Sequence, residues 1–262
     1  MKIITFLTDF GMKSGYVAQM KGVASSITDA RIVDITHDIK AHDIREGAFV
    51  LQTTVSHFPV GTVHVAVVDP GVGTDRKGII VTTKSHVLVG PDNGLLMPAA
   101  HFLGDFTVYE ITNSKYMLNP VSNTFHGRDI FAPVAAHITK GVPFEKIGHK
   151  TSDFVDMDFG RGEISDKTAT GKVIYIDRFG NIITNIDGLR LRGVLGYDKK
   201  IMAFIGNKQE EIMFVKSYDF VKKWQLLATI GSSNYLEIGI NQGNAAEKLN
   251  VKPDEEIKII FC

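Results

Sequence analysis

A valine-rich run that ends in an aspartate and a tight glycine loop constrains the fold of this chain more than any other feature. Residues 63–68 read Val-His-Val-Ala-Val-Val, residues 69–73 read Asp-Pro-Gly-Val-Gly, and Arg76 follows the loop. Valine favours strands, and ligands of open α/β sheets bind beyond the carboxyl ends of the strands. We therefore expect Asp69 to face a ligand-binding crevice. Arg76 is expected either to pair with Asp69 or to form an ordinary surface ion pair.

The first 155 residues alternate strand and helix patterns. Residues 3–7 predict a buried strand, and apolar residues at helical spacing follow over 16–27. A second strand over 30–35 precedes a second amphipathic helix over 48–58, and the valine-rich run is the third strand. This alternation predicts an N-terminal α/β domain with a largely parallel sheet flanked by helices.

The second half of the chain has a different character. Residues 156–169 carry no regular apolar pattern and are predicted to be a linker between domains at 1–155 and 170–262. A chain of 262 residues is also near the length at which a single core divides in two. Short strand patterns separated by turns predict a mostly β C-terminal domain that forms a barrel. These patterns cover residues 172–176, 182–186, 200–205, 211–215, 226–230, 235–240 and 256–261.

The charge balance and the apolar content restrict the partners. Basic and acidic residues number 29 each, so we expect neither nucleic acid nor an anionic membrane as a partner. No apolar run reaches the length of a membrane span, and the acidic Asp9 comes too early for a signal peptide. The only cysteine, Cys262, excludes internal disulfides and favours a cytoplasmic location. The expected partner is a small-molecule substrate.

Candidate catalytic groups stand at the ends of strand patterns. Asp9, Asp69 and Asp177 each follow an apolar strand and precede a glycine within a few residues. Any one of them is most simply a turn former, but three in the same context favour a ligand pocket. His126 lies in a glycine turn ahead of an apolar helix, so it is either a buried histidine satisfied by a carbonyl or a pocket residue. We expect Asp129 to cap that helix.

The segment 37–43 contains possible metal ligands, because two of its seven residues are histidines and two are aspartates. It lacks the H-E-x-x-H arrangement and a third ligand cluster, so we predict no metal site. The alternative is a divalent-metal phosphohydrolase. Its ligands would be Asp9, His37, Asp38 and Asp69.

Two polar turns of the C-terminal domain are candidate binding loops. Residues 179–185 include Asn181, whose carboxamide can both donate to and accept from a base edge. Residues 231–237 read Gly-Ser-Ser-Asn-Tyr-Leu-Glu and lead into a strand pattern. An ordinary hairpin turn is the alternative for either segment.

Six motifs in order identify a family resemblance. They are Thr-Asp-Phe-Gly at 8–11, Asp-Pro-Gly-Val-Gly at 69–73 with Arg76, Gly-Pro-Asp-Asn-Gly-Leu-Leu at 90–96, Phe-His-Gly-Arg-Asp at 125–129, Phe-Gly-Asn at 179–181 and Gly-Ser-Ser-Asn-Tyr-Leu at 231–236. Over nearly its whole length the chain resembles the adenosine-forming S-adenosylmethionine hydrolases, also called S-adenosylmethionine hydroxide adenosyltransferases. They are relatives of the fluorinase and chlorinase, which attack the same substrate with halide.

The resemblance implies a reaction, an assembly and a set of roles. Water or hydroxide attacks the ribose 5′ carbon of S-adenosylmethionine without a cofactor or metal and releases adenosine and methionine. The family forms homotrimers whose sites lie between the C-terminal domain of one subunit and the N-terminal domain of its neighbour. By motif, Asp69, Arg76 and His126 handle water, Asp9 binds the ribose hydroxyls and Asn181 meets adenine. Further expected substrate-binding residues, of which the first two hold the methionine portion, are Asp177, Ser232, Tyr235 and Glu237.

Within this resemblance, hydrolysis is favoured over halide transfer. The family's halogenases replace the Asp-Arg-His set and carry an extra N-terminal loop, whereas this chain keeps all three residues and has a short segment between Arg76 and Pro91. A halide-using adenosyl transferase and a non-catalytic binding module for adenosine or S-adenosylmethionine are the alternatives. Asn234 stands where relatives often have glycine, and asparagine tolerates the left-handed backbone of such a turn.

Overall fold

The computed structural model describes residues 2–261 and divides the chain into two compact units. The first unit ends at Asp158, and the second begins at Phe159. Met1 and Cys262 lie outside the described residues, so the prediction drawn from the cysteine is not addressed by the structure. Among the described residues, no helix combines the length and apolar character needed to cross a membrane.

The first unit contains a seven-stranded sheet with helices packed on it. Its elements are β1 (Ile3–Thr8), α1 (Tyr16–Ile27), β2 (Arg31–Thr36), α2 (Ile44–Val55), β3 (Val63–Val67), β4 (Gly78–Thr83), β5 (Val87–Pro91), α3 (Met97–Leu103), β6 (Phe106–Ile111), α4 (Ala132–Thr139), α5 (Phe144–Ile147) and β7 (Gly148–Thr151). The strands lie in the order β2-β1-β3-β5-β4-β6-β7. Helix α1 packs against α4, and α2 packs against α3.

The sheet is parallel in one half and antiparallel in the other. Strands β2, β1, β3 and β5 pair in parallel, whereas the pairings of β5 with β4, β4 with β6 and β6 with β7 are antiparallel. Residues 84–86 alone separate β4 from β5, and so short a turn can join only antiparallel neighbours, because a parallel pair needs a long crossover. The predicted α/β architecture is confirmed, and the parallel arrangement is confined to the half that contains β1 and β3.

The parallel strands are buried on both faces. Every residue of β1 and β3 is buried, which explains why apolar residues occupy both faces of these strands and do not alternate with exposed polar ones. Phe6, Val65 and Phe131 are fully enclosed, and they share a core cluster with Met20 of α1 and Val134 of α4. This packing fixes the carboxyl ends of β1 and β3 beside each other.

The helix after the histidine motif does not begin as expected. Gly127–Phe131 form a π-helical turn that continues directly into α4, and His126 occupies the position before this turn. The prediction that Asp129 caps the helix is wrong, because Asp129 lies inside the turn with no exposed surface. Its carboxylate accepts hydrogen bonds from the side chain of Arg128 and from the backbone amide of Ser122. A helix cap would instead accept from backbone amides of the first helical turn.

The second unit is a closed β-barrel. Its elements are β8 (Glu163–Ile164), β9 (Thr168–Ile176), β10 (Ile182–Asp187), α6 (Gly188–Leu195), β11 (Lys199–Ile205), β12 (Lys208–Phe214), β13 (Leu226–Ile230), β14 (Tyr235–Ile240), α7 (Ala245–Leu249) and β15 (Glu256–Ile260). The ring runs β10-β14-β13-β12-β11-β15-β9 and closes through the pairing of β9 with β10. The predicted barrel is confirmed, and the patterns at 226–230 and 235–240 coincide with β13 and β14. Strand β8 lies within the segment 156–169 predicted to be a linker.

The close packing of β3 against β5 predicts a glycine requirement at Gly90. A Cβ there would lie 2.3 Å from the backbone oxygen of Ala66. We expect Gly90→Ala to lower the free energy of unfolding by about 1 to 3 kcal/mol, the usual effect of overpacking a core. Gly22, in α1, has open space where a Cβ would lie, so Gly22→Ala should raise stability by up to about 1 kcal/mol. Urea unfolding followed by circular dichroism measures both, and equal effects would contradict the prediction.

Candidate active site

Asp69 stands in a tight loop just beyond the end of β3. Its side chain is 4% exposed. The loop folds closely on itself, since the amide of Val72 donates to the Asp69 carbonyl at 3.2 Å. Gly73 has a left-handed φ of 79°, and a Cβ there would lie 2.2 Å from the carbonyl oxygen of Asn123. The sequence needs glycine at this point because the backbone of another segment occupies the space of a side chain.

Arg76 forms a two-pronged ion pair with Asp69. Its Nε donates to Oδ1 at 3.1 Å, and its Nη2 donates to Oδ2 at 2.5 Å. Nη1 donates to the carbonyl of Lys77 at 2.8 Å, and the guanidinium carbon lies 5.4 Å from the ring centre of Phe131. The Arg76 side chain is 8% exposed, so the surface ion pair considered as an alternative is not what forms.

His126 completes a chain of three side chains. Its Nδ1 lies 3.0 Å from Nη2 of Arg76. A guanidinium can only donate, so Nδ1 must accept, and the neutral imidazole carries its proton on Nε2. The structure thus brings Asp69, Arg76 and His126 into direct contact, with the arginine in the middle.

Burial shifts the pKa values of Asp69 and His126, the two residues that flank Arg76 in this group. Burial raises the pKa of the Asp69 carboxyl above its ordinary value, although the charge and hydrogen bonds of Arg76 oppose the rise. Burial lowers the pKa of His126, and the neighbouring positive charge of Arg76 lowers it further. The site therefore favours a neutral imidazole, and its carboxyl group is more basic than that of an exposed aspartate.

The motif at 90–96 holds the backbone next to Asp69 through the side chain of Asn93. Nδ2 of Asn93 donates to the carbonyl of Val68 at 2.9 Å, and its Oδ1 accepts from the amide of Leu95 at 3.2 Å. Val68 directly precedes Asp69, so Asn93 fixes the backbone from which the carboxylate projects. The role of Asn93 is a feature that sequence reasoning missed, although the motif itself was recognised.

Asp9 lies at the same edge of the sheet. It follows Thr8, which is in register with Val67, so Asp9 and Asp69 leave the ends of neighbouring parallel strands. Its Oδ2 accepts from the backbone amide of His42 at 2.9 Å. The half-buried carboxylate keeps its other oxygen for a further donor.

A pocket of about 510 Å³ is lined by residues of two segments, 10–19 and 122–128, the second of which contains His126 in sequence. Its walls include Phe10, Tyr16 and Phe125, whose rings meet edge to face with centres 5.1 to 6.0 Å apart. The guanidinium of Arg128 lies over the Phe125 ring at 4.9 Å. Sequence reasoning did not select these aromatic residues, because helical spacing and core formation explain Tyr16 equally well.

In the barrel unit, Asp177 and Asn181 hold each other. Oδ1 of Asp177 accepts from the amides of Phe179 and Asn181 at 2.8 and 2.9 Å, and Oδ2 accepts from Nδ2 of Asn181 at 2.9 Å. The segment between β9 and β10 is therefore closed by its own side chains. This segment is a hairpin turn whose polar side chains are held in fixed positions.

Glu237 is paired with Tyr218, a residue that the sequence analysis did not select. The phenolic hydroxyl donates to Oε1 of Glu237 in a short hydrogen bond. Burial raises the pKa of Glu237, and the charge of Asp177 raises it further. Burial and Glu237 raise the pKa of Tyr218 well above its ordinary value, while a hydrogen bond with Asn181 opposes the shift. Asp177, Asn181, Tyr218 and Glu237 thus form one polar group, which we call the barrel cluster.

Ser232 and Tyr235 lie at the turn between β13 and β14. The amide of Gly231 donates to the Tyr235 carbonyl at 3.0 Å, and Ser232 is exposed. Asn234 has a left-handed φ of 64°, as expected for asparagine in this turn. A Cβ on Gly231 would lie 2.4 Å from Oε2 of Glu237, so the turn packs directly on the barrel cluster.

Comparison with known proteins decides the family. Family models described as the S-adenosylmethionine hydroxide adenosyltransferase N-terminal and C-terminal domains match residues 4–148 and 171–258. The chain belongs to this family. It is 42% identical over 270 residues to the (R)-S-adenosyl-L-methionine hydrolase of Methanocaldococcus jannaschii, covering 99% of this chain and 96% of the relative. The enzyme of the same name from Thermus thermophilus is 32% identical over 99% of this chain and the whole of the relative.

More distant relatives and solved structures agree with this placement. The fluorinase of Nocardia brasiliensis is 27% identical to this chain over 98% of its length and 96% of the relative. The crystal structure of an uncharacterized conserved protein from Thermotoga maritima superposes with a TM-score of 0.92 at 37% identity. That match covers 98% of this chain and 99% of the other. The whole two-unit chain is therefore typical of the family.

His37, the histidine of the metal alternative, has other partners. Nδ1 of His37 lies 2.9 Å from the Thr8 hydroxyl, and Nε2 lies 3.0 Å from Oδ1 of Asp34. Between residues 2 and 261, no three histidine, cysteine, aspartate or glutamate side chains are grouped as metal ligands. His37 is thus held by Thr8 and Asp34, whereas the phosphohydrolase alternative would have it bind a metal together with Asp9, Asp38 and Asp69.

Proposed function

We propose that this protein is an enzyme that hydrolyses S-adenosyl-L-methionine to adenosine and L-methionine. The observation that carries the proposal is the contact of Asp69, Arg76 and His126 at the edge of a parallel sheet. Proteins named (R)-S-adenosyl-L-methionine hydrolase that are 32 to 42% identical over nearly the whole chain support the same reaction.

The proposed reaction is an in-line substitution at the 5′ carbon of the ribose. The oxygen of water forms a bond to this carbon while the carbon–sulfur bond breaks, and its electron pair stays on the sulfur of methionine. One proton of the water becomes surplus and leaves through a base. Because the sulfonium is already a good leaving group, the enzyme has chiefly to position and activate one water, for which no cofactor or metal is required.

The geometry suggests a different task for each member of the water-handling set. The Asp69 carboxylate accepts two hydrogen bonds from Arg76 and one from the Gly71 backbone, which leaves one lone pair with which it can orient water and take its proton. Arg76 keeps the buried carboxylate ionised. Nδ1 of His126 accepts from Nη2 of Arg76, so the imidazole completes the hydrogen-bond chain that holds the guanidinium against Asp69. In this proposal the base is Asp69, and His126 acts on the water through that chain.

The remaining predicted residues are proposed to bind the substrate. Asp9 has a carboxylate oxygen left for the ribose hydroxyls at the edge of the sheet. Asn181 is proposed to read adenine, although its side-chain amide also holds Asp177. The methionine portion is assigned to Asp177 and Ser232, whose opposite chemistry suits an ammonium and a carboxylate. The last two proposed substrate contacts are Tyr235 and Glu237.

Two rival functions use the same pocket. A halide-using adenosyl transferase is the less favoured, because the fluorinase relatives are 27% identical whereas the hydrolases reach 42%. The chain also keeps the Asp69, Arg76 and His126 set that distinguishes hydrolases in the family resemblance. A non-catalytic binding module for adenosine or S-adenosylmethionine would keep the pocket but would have no use for a basic carboxylate at its edge.

The assembly proposed is a homotrimer in which each site takes one wall from each of two subunits. The family resemblance supports it, and so does the separation of the candidate residues into two groups that each belong to one unit. The cytoplasmic location expected from the sequence stays a prediction.

Product analysis with labelled water tests the reaction. Incubation of S-adenosylmethionine in ¹⁸O-water should place the label on the adenosine 5′ hydroxyl, since that bond is the one formed. The rate should be unchanged by EDTA and by added fluoride or chloride. Label-free adenosine, loss of activity with the chelator, or a 5′-halogenated product would each contradict the proposal, and bound substrate without products would indicate a binding module.

Replacement of Asp69 tests the assignment of the base. Asp69→Asn keeps the shape but removes the charge, so turnover should fall by about 10² to 10⁴ while the Kd for S-adenosylmethionine changes little. Adding His126→Ala should cost less than the product of the two separate losses, because both residues act on one water. Asp9→Ala serves as the comparison, since it should weaken binding. Turnover of Asp69→Asn at the parental rate would make Asp69 a structural residue.

Mixed oligomers test the composite site. Asp69→Asn and Asp177→Ala subunits should each have low activity alone, because every site then lacks one wall. Random mixing in a ring should restore roughly a quarter of the parental activity, since one site in four combines two intact walls. Native mass spectrometry verifies subunit exchange. Exchange without recovery would show that each site is made by a single subunit.

A further inference from the structure

Asp129 is a buried carboxylate that the proposed mechanism does not use. Nε of Arg128 donates to its Oδ1 at 2.6 Å, and Nη2 donates to its Oδ2 at 3.1 Å. Burial alone would raise the pKa of Asp129, but the hydrogen bonds from Arg128 and Ser122 lower it below its ordinary value. The side chain is therefore a fixed negative charge inside the π-helical turn that follows His126.

Ser122 connects this carboxylate to the histidine. Its backbone amide donates to Oδ2 of Asp129 at 2.8 Å. Its hydroxyl accepts from the amide of Phe125 at 3.0 Å, directly before His126. The Ser122 backbone also hydrogen-bonds with the imidazole of His126. A single residue thus transmits the position of the Asp129 carboxylate to both the backbone and the ring of the histidine.

The same ion pair also fixes the wall of the neighbouring pocket. Nη1 of Arg128 donates to Oε1 of Gln19 at 2.9 Å, and its guanidinium lies over the Phe125 ring. Because Asp129 binds the other nitrogens of this fork, it determines where the guanidinium lies. Phe125 and His126 therefore depend on one carboxylate for their orientation.

We propose that Asp129 is a positioning residue, which sets the orientation and the proton position of the His126 imidazole through Ser122. Without this support, the ring can rotate away from Arg76, and the proton is no longer confined to Nε2. The effect on the imidazole is a property of the folded protein, whereas the effect on rate rests on the proposed hydrolysis. The two can therefore be measured separately.

Asp129→Asn tests this role. The amide oxygen can still accept from Ser122, but the amide nitrogen faces the donors of Arg128. The two-pronged hydrogen bonding between residues 128 and 129 is therefore lost. In ¹⁵N-histidine spectra of the full chain, the single His126 tautomer with its proton on Nε2 should give way to a mixture. The kcat for S-adenosylmethionine should fall by about 10- to 100-fold, with KM changed much less. The His126 signal is assigned by its disappearance in His126→Gln.

Two further variants separate positioning from general destabilisation. Arg128→Lys keeps the charge but loses the two-pronged geometry, so it should change the tautomer in the same direction and to a smaller extent. Glu145→Gln removes another carboxylate of the same unit, one that accepts from Tyr109, and should leave the His126 spectrum and the kcat unchanged. Should Asp129→Asn fail to fold, Arg128→Lys alone decides the matter by the same spectrum.

Each result has a definite meaning. A changed tautomer with lowered kcat supports the proposal. An unchanged His126 spectrum in a folded Asp129→Asn protein, whatever its activity, overturns it and leaves Asp129 with a role in stability only. If the parent protein does not hydrolyse S-adenosylmethionine, the proposed function fails, but the spectrum still tests whether Asp129 positions the imidazole.

Discussion

The buried ion pair between Asp69 and Arg76 is the interaction on which the catalytic region depends. One guanidinium contacts the carboxylate, the imidazole of His126, the Lys77 carbonyl and the ring of Phe131. Buried pairs of this kind contribute little net stability compared with apolar residues, but removing one partner costs about 3 to 5 kcal/mol. A gain in stability therefore does not explain the arrangement, whereas the proposed function does, because it needs an ionised carboxylate that is shielded from bulk water.

The strand-end constellation could be predicted because it depends on local rules. Valine-rich segments form buried strands, acids at their ends lie at one edge, and the glycine loop brings Arg76 back to Asp69. The boundaries of β13 and β14 were predictable for the same reason, since turn residues bracket alternating apolar ones. The antiparallel pairing of β4 with β5 follows from the short turn between them, which the sequence shows, whereas the pairings of β6 with β4 and β7 depend on longer connections that carry no such signal.

Other features depend on contacts that no local pattern shows. Asp129 resembles a helix cap in sequence, but its carboxylate is bound by Ser122, which lies seven residues earlier in an irregular segment. Tyr218 lies in a short helical turn without a motif, and its importance is visible only because Glu237 and Asn181 face it across the barrel strands. Tertiary contacts also decide where Asn93 acts, since its partner is the carbonyl of Val68, directly after the end of β3.

The closed ring of the second unit has a consequence for selectivity. Asp177 and Asn181 bracket the turn between β9 and β10, and Glu237 pairs in register with Ile183 of β10, so these groups stand on three adjacent strands. In an open sheet such strands could splay to admit a larger molecule, but here any widening would break hydrogen bonds around the circle. In the proposed function, the barrel cluster therefore selects ligands by a fixed spacing of its polar groups and rejects those that do not match it.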